Sequence, residues 1–308
     1  MIFSDHSKTV GNTPLVALNR VGEIGRIAAK LEMRNPCGSV KDRLGIALIE
    51  EAERKGLIGP GATLVEATGG NTGVALAFVA AIKGYRLILT MPDSMSTERV
   101  ALLQQLGAEI VLTPGILMTE AVAQARALAA CTPGAYLLDQ FDNPANPEIH
   151  RRTTGPEIWA QTQGAVDVFV SAIGTGGTIT GVGEALKERK PSVKVIGVEP
   201  SGAAVLSGGK AGEHAMPGIG VGFVPRVLNR KIIDEVQVVT DQEAMLCARD
   251  LARREGILAG VSSGAALCAA LRIAQRSMSA KLIVVLLADT GERYITTRLF
   301  RQEVRNAV

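Results

Sequence analysis

Cysteine and histidine are scarce in this chain, and no apolar run is long enough to span a membrane. Its 308 residues hold four cysteines and three histidines. Cys37, Cys131, Cys247 and Cys268 lie far apart with no Cys-x-x-Cys, which excludes a dense disulfide framework and reads as free thiols in a reducing cytosol. His6, His150 and His214 are equally scattered, so no metal site is expected. The longest apolar runs, GVALAFVAAI and LIVVLLA, fall well short of the roughly 20 residues a spanning helix needs. Charge of one sign is also lacking. With 33 basic against 30 acidic residues, alternating along the chain, a net +3 argues against nucleic acid or an anionic membrane as partner. The first fifteen residues, MIFSDHSKTVGNTPL, show no basic segment followed by an apolar one, so no secretory leader is expected and the cytoplasm is the expected location.

What is present is an ordinary globular composition, 47% hydrophobic and 20% charged, in a chain long enough for two lobes. Short β-rich runs (RIAAKLEM, TLVEA, RLILTM, EIVLT, DVFVSA, KVIGVE, KLIVVLLA) alternate with helical stretches at 42–55, 72–83, 97–107, 118–130, 179–189, 241–255 and 264–276. Several of the strands are apolar throughout, as burial on both faces of a parallel sheet requires. The expected fold is therefore α/β, with helices covering the sheets. FDNPANPEIH (141–150), rich in Asn and Pro, marks the boundary between lobes 1–145 and 146–308, with the strands near 13–34 able to cross to the other lobe. Residues 201–232 carry glycine and proline without periodicity, and a loop that long in a compact enzyme is often functional.

The specific information sits where strands hand over to helices, which is where open α/β sheets bind ligands. VEATGGNTGVALA (65–77) offers Thr68, Asn71 and Thr72 beside two glycines. VSAIGTGGTITG (170–181) places Gly174, Thr175, Gly176, Gly177 and Thr178 before a helix, an arrangement suited to a phosphate dianion. LAGVSSGAALCAA (258–270) presents Ser262 and Ser263. A dinucleotide fingerprint starting at Gly174 needs glycine at 179, where Ile179 stands, and no lysine follows Gly177 as a Walker loop requires. NPCGSVKDRLGIALIEEA (35–52) adds a lysine at a loop-to-helix junction: Ser39 and Asp42 read as a capping-box-like start, which puts Lys41 where the helix dipole disfavours a cation. At its ordinary pKa near 10.4 only about one lysine in 2,500 is neutral at pH 7. A catalytic amine needs a value nearer 7–8, and because the dipole supplies only about 0.3–1 kcal/mol, desolvation and a cofactor must supply the rest. A phosphate-bearing cofactor without a dinucleotide signature, together with this lysine, suggests pyridoxal phosphate.

These segments resemble, in order and over nearly the whole length, the cysteine synthase family, O-acetylserine sulfhydrylases of the fold-type II pyridoxal-phosphate enzymes. GNTPLV, NPCGSVKDR, GNTGVALA, QFDNPANPEIH, TTGPEIW, GTGGTITG, PGIGVGFVP, AGVSSGA and DTGERY carry the likeness. The resemblance implies two lobes, each a mostly parallel twisted sheet covered by helices, as in the tryptophan synthase β subunit. It implies that Lys41 forms the Schiff base with the cofactor and acts as the catalytic base. Asn71, Gly174, Thr175, Gly176, Gly177, Thr178 and Ser262 would then bind the cofactor: Gly174 to Thr178 its phosphate, Asn71 its ring hydroxyl and Ser262 its pyridine nitrogen. Thr68, Gly69, Asn71, Thr72 and Gln140 would bind the substrate carboxylate. The implied reaction is β-replacement, making L-cysteine from O-acetyl-L-serine and sulfide through an α-aminoacrylate. Cystathionine β-synthase-type or desulfhydrase activity on the same scaffold is the alternative. The resemblance also implies a homodimer and a cleft that accepts the C-terminal tail of serine acetyltransferase, which makes a regulatory binding role a further alternative.

The chain departs from the family pattern at three places. Gly69 stands where the family usually has serine, removing one potential hydrogen bond to the carboxylate. Restoring the hydroxyl is expected to lower the KM for O-acetylserine, and the loop is expected to close on the substrate with the lobe around 86–131. Ala288 replaces a proline, and Cys37 occupies a position often filled by smaller residues, where it reads as a packing residue.

Overall fold

The computed structural model describes residues 2–22, 26–115, 118–276 and 281–300. Residue 1, residues 23–25 within the expected 13–34 strands, and residues 301–308 at the end of the expected second lobe lie outside them. The strands are β1 (Leu15–Ala17), β2 (Ile27–Leu31), β3 (Thr63–Ala67), β4 (Arg86–Pro92), β5 (Glu109–Thr113), β6 (Ala135–Leu137), β7 (Val168–Ala172), β8 (Lys194–Pro200), β9 (Glu235–Val239) and β10 (Ile283–Leu287). They form a six-stranded sheet in the order β1-β2-β10-β7-β8-β9 and a four-stranded sheet in the order β5-β4-β3-β6. Every pairing is parallel except the edge pair of β1 with β2. The stretch near 13–34 thus supplies two strands to the larger sheet, with β2 lying in register beside β10 (Val285 opposite Ala29).

The helices are α1 (Lys41–Arg54), α2 (Asn71–Lys83), α3 (Thr97–Gln105), α4 (Met118–Cys131), α5 (Ala145–Ile149), α6 (Gly155–Gln161), α7 (Gly177–Arg189), α8 (Asp241–Asp250) and α9 (Val261–Arg276). Wider π turns join α5 to α6 at His150–Thr154 and extend α8 at Leu251–Glu255. The mainly apolar central strands are buried on both faces: every residue of β10, and of β3 with its Thr63 and Glu66, is buried. Each fully buried Leu, Ile or Val there contributes about 1.5–3 kcal/mol. On one side of the large sheet, β10 and β7 pack with α8 and α9; on the other, Phe169, Ile179, Val182 and Leu286 form a second core with Ile158 of α6. Leu44, Leu48, Leu64, Leu76 and Leu89 join α1 and α2 to the smaller sheet. The two helices meet closely at Gly45, where an added Cβ would lie 2.8 Å from Ala75.

A buried ionic cluster fastens α1 to the large sheet. The Arg43 guanidinium donates to both carboxylate oxygens of Glu32 (2.8 and 2.9 Å) and to Glu157 (2.6 and 2.8 Å), while the Lys30 ammonium donates to Glu157 at 2.7 Å. Burial alone would raise the pKa of Glu32, but the Arg43 charge and hydrogen bonds hold it down to about 2.

Both sheets change winding direction at the same end. In the smaller sheet β3, β4 and β5 run one way and β6 lies on the other side of β3; in the larger, β7, β8 and β9 run one way and β10 lies on the other side of β7. Carboxyl ends of strands at such switch points open a crevice, and here two switch points contribute to one.

Candidate active site

That crevice is a cleft of about 1120 Å³. The smaller sheet's strand ends bring Thr68, Gly69, Asn71, Thr72 and Gln140 to its wall. Gly174, Thr175, Gly176 and Thr178 follow β7, Ser262 opens α9, and α1 contributes Lys41. Of the expected site residues only Gly177 is off the wall, because it turns inward against the Asn146 side chain.

Lys41 is the first residue of α1. The expected capping box is not formed: the helix starts one residue later than that reading places it, with Val40 at the cap. The Asp42 carboxylate accepts the Cys37 amide at 2.6 Å and the Ser39 hydroxyl at 3.4 Å rather than the Ser39 amide, while the Ser39 hydroxyl oxygen accepts the Lys41 amide at 3.2 Å. The amide of Val40 donates to Ala288 at 2.8 Å, fixing this helix start to the end of β10. Among the described residues no hydrogen bond or ion pair engages the ammonium. Burial pulls its pKa down to about 8, while the Asp289 carboxylate acts in the opposite sense. About one lysine in ten is then neutral at pH 7, so desolvation supplies most of the required activation. Cys37 packs beside this start, its thiol pushed up to about 12 by burial and the Asp42 charge, and stays protonated.

The 174–178 loop leads from the end of β7 into α7. Gly176 has φ +86°, a left-handed conformation natural to glycine, and a Cβ there would lie 2.8 Å from Leu228. A Cβ on Gly174 would strike the Gly218 carbonyl oxygen. The irregular 201–232 segment therefore covers the loop and admits only glycine at both places. The amides of residues 174–178 have no protein acceptor among the described residues, and they converge at the N-terminus of α7. Such a donor set fits a phosphate dianion. Two buried side chains orient the hydroxyls. Asn146 donates to Thr175 Oγ1 at 3.0 Å and to the Gln140 carbonyl at 2.8 Å, and Thr178 Oγ1 lies 3.2 Å from His150 Nε2. Burial drives His150 down to about 3, so it is a neutral hydrogen-bonding partner. The Ser262 hydroxyl, buried and on the cleft wall, makes no protein hydrogen bond among the described residues.

On the other wall the Thr72 hydroxyl donates to Gln140 Oε1 at 2.7 Å, and Thr68 Oγ1 accepts the Gly70 amide at 3.2 Å. The Asn71 amide nitrogen donates to Asp289 at 2.7 Å, and its oxygen accepts from Arg293. Tyr294 donates to the same Asp289 oxygen at 2.5 Å, while the other oxygen, fully buried, has no partner among the described residues. Gly69 has a specific neighbour. A Cβ there would lie 2.6 Å from the Met95 sulfur and 2.8 Å from its Cγ, so a thioether fills the space a serine side chain would enter.

Asp289, Asn146, Glu66 and Met95 were not among the expected site residues. Asp289 and Glu66 did carry a signal: each is a single acid within or just after an apolar strand, LIVVLLAD and TLVEA. Asn146 and Met95 carried none, since their partners come from distant segments.

A family model of pyridoxal-phosphate dependent enzymes matches residues 6–289. The chain is 52% identical to cysteine synthase A of Escherichia coli, over 97% of this chain and 96% of that one. Among solved structures, a cysteine synthase from Entamoeba histolytica superposes with a TM-score of 0.94 at 39% identity, covering 98% of this chain and 92% of that one. An O-ureido-L-serine synthase does so with a TM-score of 0.94 at 44% identity, covering 97% and 96%.

Proposed function

We propose that this chain, which belongs to the pyridoxal-phosphate dependent enzymes and among them to the cysteine synthases, makes L-cysteine from O-acetyl-L-serine and sulfide by β-replacement. One observation supports the reading above others: the Lys41 amine, without a hydrogen-bond or ion-pair partner among the described residues and drawn towards neutrality, shares a cleft with a loop whose amides have no acceptor among them. Pyridoxal phosphate, when bound, supplies the electron sink that makes the α-proton labile and lets acetate leave.

The chain's own residues do the remaining work. The amides of Gly174, Thr175, Gly176, Gly177 and Thr178 hold the phosphate, with the α7 N-terminus adding favourable potential. Asn71, oriented by Asp289 and Arg293, would hold the ring hydroxyl, and Ser262 would hold the ring nitrogen. A neutral hydroxyl does not stabilise a full positive charge on that nitrogen, which favours elimination over transamination. Thr68, Asn71, Thr72, Gln140 and the amide of Gly69 bind the substrate carboxylate. Lys41 would hold the cofactor covalently, and its amine, largely desolvated, would serve as the base that accepts the α-proton at Nζ. Closure of the 68–72 loop would exclude water while the β-carbon is reactive.

On the same reading 1–145 and 146–308 act as two lobes, with the strands near 13–34 crossing to the second, and the protein is a cytoplasmic homodimer. Phe141, Phe223 and Val224 line the cleft, the last two exposed, and would receive the C-terminal tail of serine acetyltransferase. No described helix is long and apolar enough to cross a membrane. The test is Lys41→Ala: the purified variant should lack the visible absorbance of covalently held cofactor and form no cysteine from O-acetylserine and sulfide. Full turnover by the variant would remove Lys41 from the mechanism.

A further inference from the structure

Glu66 sits within β3, only 2% exposed, with Leu89 of β4 opposite it in the sheet. One of its carboxyl oxygens accepts from Gln140 Nε2 at 3.3 Å, and the other is buried without a partner. The same Gln140 nitrogen reaches the Ala67 carbonyl at 3.4 Å, while Gln140 Oε1 accepts the Thr72 hydroxyl at 2.7 Å. Both ends of the amide are therefore committed. The oxygen faces Thr72 on the cleft wall, and the NH2 group faces inward.

An ionised Glu66 can only accept hydrogen bonds, so it enforces this orientation. The orientation is poor for an incoming carboxylate, which would meet the Gln140 oxygen and find the Thr72 proton already used. A protonated Glu66 can donate its O–H to Gln140 Oε1. The amide then turns over, its NH2 faces Thr72 and the cleft, and the Thr72 hydroxyl, now an acceptor from Gln140, has its own proton free for the substrate.

We infer that Glu66 is a positioning residue whose proton decides which end of the Gln140 amide faces the amino-acid carboxylate. This rests on the reading above that Thr72 and Gln140 bind that carboxylate. Burial raises Glu66 to about 8, and the Asp139 charge acts in the same direction. Asp139, on the segment after β6, is itself 3.7 Å from Arg126 of α4. Glu66 therefore keeps its proton at neutral pH and loses it in mild alkali. With a midpoint of about 8, the protonated fraction falls from roughly nine-tenths at pH 7 to about one-tenth at pH 9, and apparent affinity falls with it, about tenfold.

The experiment measures KM and kcat for O-acetylserine at pH 7 and pH 9 in the holoenzyme, in Glu66→Gln and in Gln140→Ala. Calorimetric Kd values for L-alanine, which has no leaving group, are taken in parallel. Glutamine at 66 can both donate and accept and does not titrate. The wild-type KM and alanine Kd should rise about tenfold more than those of Glu66→Gln between the two pH values, while kcat, governed by the Lys41 that both proteins share, moves in parallel. Superimposable pH profiles for wild type and Glu66→Gln, with Gln140→Ala raising KM, would overturn the role of Glu66 alone. An unchanged KM in Gln140→Ala would instead overturn the carboxylate site on which the inference stands.

Discussion

Replacing Gly69 by serine separates what the sequence implies from what the structure implies. On sequence grounds the serine restores a donor to the carboxylate loop, a hydrogen bond worth about 0.5–1.5 kcal/mol, and KM should fall roughly three- to tenfold. In the structure the new Cβ arrives 2.6 Å from the Met95 sulfur and 2.8 Å from its Cγ, with the Met91 Cβ at 3.4 Å. Carbon–sulfur contact that close must be relieved by moving Met95 or the loop. Overpacking of this kind costs about 1–3 kcal/mol, against the roughly 0.5–1.5 kcal/mol the hydroxyl returns, and the flexible Met95 thioether on the cleft wall can take up part of it. The loop is poorly placed to yield: Gly69 O accepts from Arg99 at 3.2 Å, and Arg99 lies over the Tyr294 ring, 5.9 Å from its centre. The net effect is a loss of roughly 0–2 kcal/mol, so Gly69→Ser should raise the KM for O-acetylserine, by up to about thirtyfold. Truncating the obstacle should reverse the sign. In a Met95→Ala background, Gly69→Ser should lower KM three- to tenfold relative to Met95→Ala alone. Steady-state kinetics on the four proteins of this cycle provide the measurement. A single Gly69→Ser variant that binds O-acetylserine more tightly than wild type would show that Met95 does not govern this position.

Two further substitutions probe the supports of the site. Gly177→Ala puts a methyl onto Asn146 Oδ1, and displacing Asn146 breaks its bonds to Thr175 and to the Gln140 carbonyl. Overpacking plus two lost hydrogen bonds amounts to roughly 2–6 kcal/mol, so titration of the apo-protein with pyridoxal phosphate should show affinity weakened thirtyfold or more; an unchanged Kd would refute the assignment. Arg43→Met strands the buried Glu32 and leaves Glu157 with Lys30 alone, which should cost about 3–5 kcal/mol in urea unfolding. Adding Glu32→Leu should recover part of that loss, and strict additivity of the two would mean the charges are not coupled.

Most strands were readable because parallel, doubly covered strands are mainly apolar: β10 is so throughout, and β3, β7 and β8 are so over most of their length. The strands missed by sequence reading depart from that pattern. β6 is three residues long, and β9 is a half-exposed edge strand that mixes Glu235 and Gln237 with its valines. Helix 241–255 was expected as one element, yet its last turn widens to a π turn at Leu251–Glu255, a change in hydrogen-bond register that side-chain periodicity does not report.

The site divides along the same physical line. Loops at strand ends announce themselves through local composition, and so Gly174, Gly176 and Gly177, the Thr68–Thr72 turn and the junction lysine are legible as strand-end or helix-start positions. Partners brought together by topology leave no such trace. Gln140 reaches Glu66 and Thr72 only because β6 lies beside β3, and Asn71 reaches Asp289 only because the smaller sheet's α2 begins where the larger sheet's β10 ends. The departure at Gly69 shows why this matters. Taken alone, a missing hydroxyl is a lost hydrogen bond; beside Met95 it is the space that lets the loop seat against β4, and the same residue changes from a defect to a fitted part.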